Sequence, residues 1–241
     1  MAVHYYPLIN KIIASLNLRE RLAILKGKPD PEITFTRPFI TIAREPGSGG
    51  APIARLVAHK LGFQCIDEEI VEDIAGSTKK RKEVIKAIDE KSRSAIEDMV
   101  HSMLNRDYVD DIKYVTELVQ VILAYAHQGN MVILGRGANF ITPFSRGLHV
   151  NITAPYAVRV ERAMKYEQVK KGQAESIIAK VEDERKLFVK QYFKQDISKC
   201  NSYDLTINTT YFTFDQVADI IIESFYRKFP RSVRYKAIFK K

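Results

Sequence analysis

The sequence predicts an α/β protein in which a parallel sheet is covered by helices on both faces. Three observations predict it. Five short runs rich in Val, Ile and Phe recur along the chain: FITIA (39–43), FQCID (63–67), NMVILG (130–135), LHVNITA (148–154) and YDLTINT (203–209). Helical patterns separate them, at 52–61, 68–76, 79–90, 93–128, 155–168, 173–193 and 213–227. A glycine-rich turn joins the first run to the first of these helices. Such alternation of strand and helix argues for parallel pairing with the sheet buried on both sides.

Each element follows in order. Residues 5–26 carry Leu8, Ile9, Ile12, Ile13, Leu16, Leu22 and Leu25 near helical spacing, which predicts an amphipathic helix. Gly27, Pro29, Pro31 and Pro38 break it, so the main domain is expected to begin near Arg37. The run FITIA then enters Arg44-Glu45-Pro46-Gly47-Ser48-Gly49-Gly50-Ala51-Pro52. Proline suits the first turn of the helix over 52–61, and Gly62 is a common helix stop. Asp67 follows the second run as an expected N-cap for 68–76. No strand candidate occurs over 68–128, which is expected to form a helical insertion beside the sheet. The charged stretch over 173–193 falls in a segment, 170–197, that is expected to serve as a lid. Three parts result: an N-terminal helix and linker (1–36), a main domain (37–227) and a basic tail (228–241).

Composition narrows the class. Of 241 residues, 46% are hydrophobic and 28% charged, and no apolar run is long enough to cross a membrane. The start, MAVHYYPLINKII, lacks the layout of a signal peptide, so a cytoplasmic protein is expected. Cys65 and Cys200 are too few for a disulfide framework or a metal set. The net charge of +9 suits an anionic partner or simply a soluble basic surface. The end, YRKFPRSVRYKAIFKK, holds seven Lys/Arg and no acid. A solvated tail is the plain reading; contact with nucleic acid or a membrane surface is the alternative. The 93–128 stretch and the first helix are each expected to offer a surface for a homodimer.

In parallel sheets of this kind, ligands bind beyond the carboxyl ends of the strands. Five places should therefore converge: Arg44–Ala51, Asp67-Glu68-Glu69, Gly135-Arg136-Gly137, Ala154-Pro155 leading to Arg159 and Arg162, and Asn208-Thr209-Thr210. Most are basic or glycine-rich, which suits an anionic ligand. Gly47, Gly49 and Gly50 stand between strand and helix, where bare N–H groups cradle phosphate; alternatively they serve only a tight turn. Arg159 and Arg162, at i and i+3, share a helix face, and turned toward a cleft their guanidinium groups would grip phosphate. Arg185, Lys186 and Lys190 in the lid segment would offset charge developing on a transferring phosphoryl group. The plain reading of that helix is a surface element laced by i,i+4 charge pairs.

The ordered set ITIAREPGSGG-PIA, DEEIVEDIA, IDEKS, VILGRGANFI, VRVERAM, EDERK…YF and YDLTINT resembles the cytidylate kinase-like family, a branch of the nucleoside monophosphate kinases, from about residue 39 to 225. The resemblance implies a three-layer phosphate-loop NTPase fold with a five-stranded parallel sheet. It also implies phosphoryl transfer from ATP, with Mg²⁺, to a nucleoside monophosphate, typically CMP or dCMP. By that analogy Gly47, Ser48, Gly49, Gly50 and Ala51, with Arg44, hold the ATP phosphates, and Ser48 lies near the metal. Asp67 and Arg136 lie on the acceptor side. Arg162 and Arg159 contact phosphate, and Arg185 is the lid arginine.

The chain departs from the pattern at three places. Gly50 stands where cytidylate kinases carry the loop lysine, Gly137 stands where they have aspartate after Gly-Arg, and Ala51-Pro52 follows the loop glycines where the family often has a basic residue. Arg44 or a lid cation is then expected to replace the lysine. The alternative function is a catalytically weak or inactive nucleotide-binding sensor.

Overall fold

In a computed structural model, which describes residues 37–88, 93, 111–193 and 195–230, strand β1 (Phe39–Arg44) forms the centre of the sheet. Its alternation sends Ile40 and Ile42 to one face and Phe39 to the other, all fully buried. It pairs with β3 (Met131–Leu134) on one side and β4 (Gly147–Thr153) on the other; β2 (Gln64–Ile66) and β5 (Leu205–Asn208) flank them. The order is β2-β3-β1-β4-β5 and every pairing is parallel. Ile42 stands opposite Leu134 and Val150, so the central strands bury a shared apolar band.

The helices are α1 (Gly50–Leu61), α2 (Glu68–Gly76), α3 (Thr78–Lys86), α4 (Asp111–Gln128), a short α5 (Ala138–Ile141), α6 (Tyr156–Glu167), α7 (Lys171–Phe193) and α8 (Phe214–Lys228). A 3₁₀ turn spans Cys200–Ser202. Helices α1 and α8 cover one face, packing Ile53, Val57, Val217, Ile221 and Phe225 on Ile40 and Ile42. Helices α2 and α4 and the end of α7 cover the other, with Val71, Leu118, Ile122 and Phe193. Each such side chain contributes about 1.5–3 kcal/mol on burial. A smaller cluster of Val160, Ala174 and Ile178 joins α6 to α7.

The five strands fall on the five apolar runs, and the result is the three-layer phosphate-loop fold. The helix boundaries have local causes. Left-handed Gly49 starts α1 at Gly50, two residues before the expected position, and Pro52 sits in the first turn, where its missing N–H leaves no bond unmade. Gly62, also left-handed, ends it. The Asp67 side chain accepts the Ile70 N–H at 3.1 Å and caps α2. Thr213 and Gln216 form a reciprocal capping box on α8. Helix α5 and the 3₁₀ turn are not anticipated by the sequence pattern, because so few residues carry no readable period. The helix expected over 5–26, residues 94–110 of the expected 93–128 stretch and the basic end after Pro230 lie outside the described residues.

One buried pair across strands β1 and β4 has a testable consequence. His149 is fully buried, and its Nδ1 lies 2.6 Å from the Thr41 hydroxyl. Burial pulls its imidazole down to about 3, against the pull of Asp204 upward. The unfolded chain therefore takes up this proton first as pH falls below about 6.5, and stability declines from there toward pH 3. Denaturant unfolding between pH 6.5 and 5, above the carboxylate range, is expected to show a slope that His149→Phe removes. Equal slopes in the two proteins would rule out this origin.

Candidate active site

The site begins with the turn after β1. Ser48 folds back so that both its N–H and its hydroxyl donate to the Glu45 carbonyl, at 3.2 and 2.8 Å. Gly47 and Gly49 adopt φ of +79° and +89°, a region that other residues enter only with strain. No side chain caps α1, so its first-turn N–H groups receive no side-chain acceptor and face the turn with the positive end of the helix dipole. This is the geometry of an anion cradle.

Two arginines support the turn from behind. Arg162 Nη1 donates to the Ser48 carbonyl at 3.2 Å and to Thr209 Oγ1 at 2.7 Å, while Nη2 donates to the Thr209 carbonyl at 2.9 Å. The Thr209 hydroxyl in turn donates to the Ser48 carbonyl at 2.9 Å. Arg159, 6% exposed, sends Nε to the Ala154 carbonyl at 3.0 Å and Nη1 to the Pro46 carbonyl and to Glu182 on α7. Both guanidinium groups thus hold backbone that shapes the turn. The turn is backed just as closely by main chain: a Cβ on Gly47 would lie 2.6 Å from the Arg159 carbonyl oxygen.

Beside the turn lies a cavity of about 710 Å³. Its walls bring together Arg44 from β1, Arg136 from the Gly135–Gly137 turn and Arg185 from α7, with Glu68 from α2 among them. Arg44 Nη2 is 2.8 Å and Arg185 Nη2 3.6 Å from Glu68 Oε1. Arg185 Nη1 also donates to the Arg44 carbonyl at 3.2 Å, which seats α7 on the end of β1. Arg136 pairs with Glu72 and lies over the Phe188 ring. It occupies the left-handed region between two left-handed glycines, a costly arrangement for a side-chain-bearing residue.

Charge in the cavity is strongly coupled. Burial alone would raise the Glu68 carboxyl, but Arg44, Arg185 and Arg136 overcome it and hold the group below its usual value. Burial, and then the neighbouring Arg44, lower Arg185 to about 10, with Glu68 opposing. At neutral pH Glu68 is therefore an anion and Arg185 a cation.

The structure thus divides the residues singled out in the sequence. It brings Arg44, Arg136 and Arg185 to one cavity. Arg159 and Arg162 brace the turn, and Gly47, Ser48, Gly49, Gly50 and Ala51 form it without lining the cavity. Asp67 caps α2, with Arg55 3.8 Å away, and its neighbour Glu68 faces the cavity instead. Ser48 is fully buried, its hydroxyl turned to the Glu45 carbonyl. Glu68, Glu45 and Glu182 carry no individual role in the sequence pattern. The acidic run Asp67-Glu68-Glu69 after β2 was the available signal for the first; Glu182 belongs to a helix so rich in charge that pattern cannot select it.

Comparison with known proteins follows the same line. A model of the cytidylate kinase-like family matches residues 39–211. A cytidylate kinase of Sulfolobus acidocaldarius is 24% identical over 190 residues, covering 78% of this chain and 94% of that protein. A uronate isomerase of Corynebacterium glutamicum is 35% identical over 108 residues; the match takes in 43% of this chain and only 20% of the isomerase. The crystal structure of an uncharacterized protein from Eubacterium ventriosum ATCC 27560 superimposes with a TM-score of 0.58 at 20% identity, over 78% of this chain and 98% of that one.

Proposed function

Because the chain belongs to the cytidylate kinase-like family, we propose that it transfers a phosphoryl group from ATP to a nucleoside monophosphate, with CMP and dCMP the first candidates. The observation that carries the reading is the meeting of Arg44, Arg136 and Arg185, from three separate elements, around one cavity beside an uncapped helix start. Phosphoryl transfer asks little covalent chemistry of a protein. It needs phosphates held in line and developing charge offset.

In this reading the N–H groups from Gly47 to Ala51 hold the donor phosphates. Arg162 and Arg159 keep that backbone in shape. Arg136 faces the acceptor phosphate from the other side, and Asp67 sets the position of α2, which carries Glu68 into the cavity. Arg185, from the lid segment, approaches the group in transit. Helix α7 is the natural moving part, because Arg159–Glu182 and Arg185–Glu68 are polar ties that anionic ligands can exchange.

Mg²⁺ fits the donors present. It binds through oxygen, usually one or two carboxylates together with phosphates and water. Glu45 lines the cavity beside the turn, and its carboxylate, whose Oε2 accepts the Ala154 N–H at 3.0 Å and lies 3.5 Å from Arg159 Nε, has Oε1 to offer, while the Ser48 hydroxyl is engaged with the Glu45 carbonyl. When bound, the ion neutralises charge on the phosphate oxygens.

ADP formation from ATP and Mg²⁺ against a panel of nucleoside monophosphates tests the proposal. Acceptor-dependent turnover, highest with a cytidine nucleotide, is expected; none with any acceptor would refute a kinase of this class. A second reading, a nucleotide-binding sensor, is favoured by one feature. Gly50 and Ala51 stand where the general phosphate-loop pattern has Lys and Ser/Thr. Tight ATP binding without turnover would select it. Among the described residues no helix is long and apolar enough to cross a membrane, and a site in the cytoplasm accords with substrates of this kind. A homodimer and an anionic partner for the basic tail stay as proposals that sedimentation and salt-dependent binding would test.

A further inference from the structure

We infer that Arg44 is the loop cation of this protein: its stem fills the space in which a side chain at position 50 would begin, and its guanidinium passes over Gly135 into the cavity wall. The inference rests on the reading of the turn as a phosphate site and says how that site makes up its missing charge.

The geometry is specific. A Cβ built on Gly50 would fall against the stem of Arg44, closest to its Cβ and 2.7 Å from its Cγ. Two side chains cannot start there together. Further out, a Cβ on Gly135 would overlap Arg44 Nη1 and lie 3.1 Å from Cζ. One glycine therefore clears the stem and the other clears the guanidinium. The tip then reaches Glu68 at 2.8 Å, on the wall of the cavity, and the whole side chain is only 8% exposed. A lysine at position 50 would have to start where the stem of Arg44 already lies, so the chain has room for one of the two cations and not both.

The other arginines near the turn do not meet this description. The terminal nitrogens of Arg162 are given to Ser48 and Thr209. Arg159 holds Ala154, Pro46 and Glu182. Arg185 enters from α7, on the far side of Arg44, and depends on the Arg44 carbonyl for its seat. An ordinary structural ion pair with Glu68 would explain the 2.8 Å contact but not the glycine at 50, which has no left-handed φ to require it, whereas Gly135 has φ +83° besides its closeness to Arg44. Glu68 acts as a positioning residue that holds the guanidinium at the cavity wall until phosphate exchanges with it.

The inference predicts that the cation and the glycine can exchange places. Calorimetry with ATP and with inorganic tripolyphosphate is run on the full chain, on Arg44→Met, on Arg44→Lys, on Gly50→Lys and on the double variant Arg44→Gly with Gly50→Lys. Thermal unfolding of each is measured alongside. Arg44→Met keeps the stem without the charge and is expected to weaken both ligands on the order of 10- to 100-fold, the range of one charge-assisted contact. Arg44→Lys retains most of the affinity. Gly50→Lys alone lowers the unfolding midpoint, because its stem meets that of Arg44. The double variant recovers the midpoint relative to Gly50→Lys and most of the affinity relative to Arg44→Met. Wild-type affinity in Arg44→Met overturns the inference, as does a double variant that binds no better than Arg44→Met. If the unaltered chain binds neither ATP nor tripolyphosphate, the phosphate-site reading itself fails, and the inference with it.

Discussion

Replacing Arg185 with alanine is expected to lower turnover on the order of 10²- to 10³-fold, the loss usual when one preorganised charge aimed at a transition state is removed. The side chain is well placed for such a role. It lines the cavity and reaches it from a helix held by two independent ties: Arg185 to the Arg44 carbonyl at 3.2 Å, and Arg159 to Glu182 at 3.0 Å. The second tie survives the substitution, so α7 should stay in place and the unfolding midpoint should change little. The kinetic signature separates two roles. If Arg185 acts on the group in transit, kcat falls and KM for ATP changes by a smaller factor. If it serves only to seat α7 on β1, Arg185→Gln, which keeps a donor without the charge, should restore the wild-type rate. Near-wild-type turnover in Arg185→Ala would remove this arginine from the mechanism altogether.

The second large effect is on stability. Gly47→Ala is expected to destabilise the fold by about 2–5 kcal/mol, from a left-handed conformation worth about 1–2 kcal/mol and overpacking worth about 1–3 kcal/mol. Gly47 has φ +79°, and the new methyl would meet the Arg159 carbonyl oxygen at 2.6 Å and its Cα at 3.0 Å. Those are main-chain atoms of α6, and they cannot step aside as a side chain would. Gly62→Ala is the internal control. It has φ +66° with nothing within 4 Å of its Cβ, so it bears the conformational cost alone, about 1–2 kcal/mol. Denaturant unfolding of the two variants measures the difference. Equal losses would mean that α6 gives way easily and that the turn is not rigidly backed. A rigid turn would serve the proposed function, because N–H groups that are already aimed need no reorganisation to receive an anion.

These two experiments probe opposite ends of what could be read from the chain. Gly47 was legible as a turn residue because the signal is local: an apolar run, three glycines and a helical pattern within about twenty residues. The same holds for Asp67 as the cap of α2, since a cap and its acceptor lie three residues apart. The arginines were legible as a set and not as individuals. Arg159 and Arg162 follow β4 as plausibly as Arg185 follows a lid pattern, and nothing in the residues near them says which will face a cavity.

The chain alone settles the parallel sheet, the alternation of its strands with helices, and the glycine turn at the end of β1, because each depends on apolar periodicity and on backbone preferences over a few residues. The tertiary structure alone decided the division of labour among the cations. It did so through contacts across more than a hundred residues: Pro46 with Arg159, Ser48 with Arg162, and Arg44 with Arg185. It also decided that Glu68 and not Asp67 enters the cavity. A guanidinium goes wherever packing leaves carbonyls or carboxylates to receive it, and that is fixed by how α6 and α7 settle on the sheet. The absent lysine has the same explanation. From the chain, Gly50 marks a missing charge; in the fold, it leaves the space that the stem of Arg44 fills.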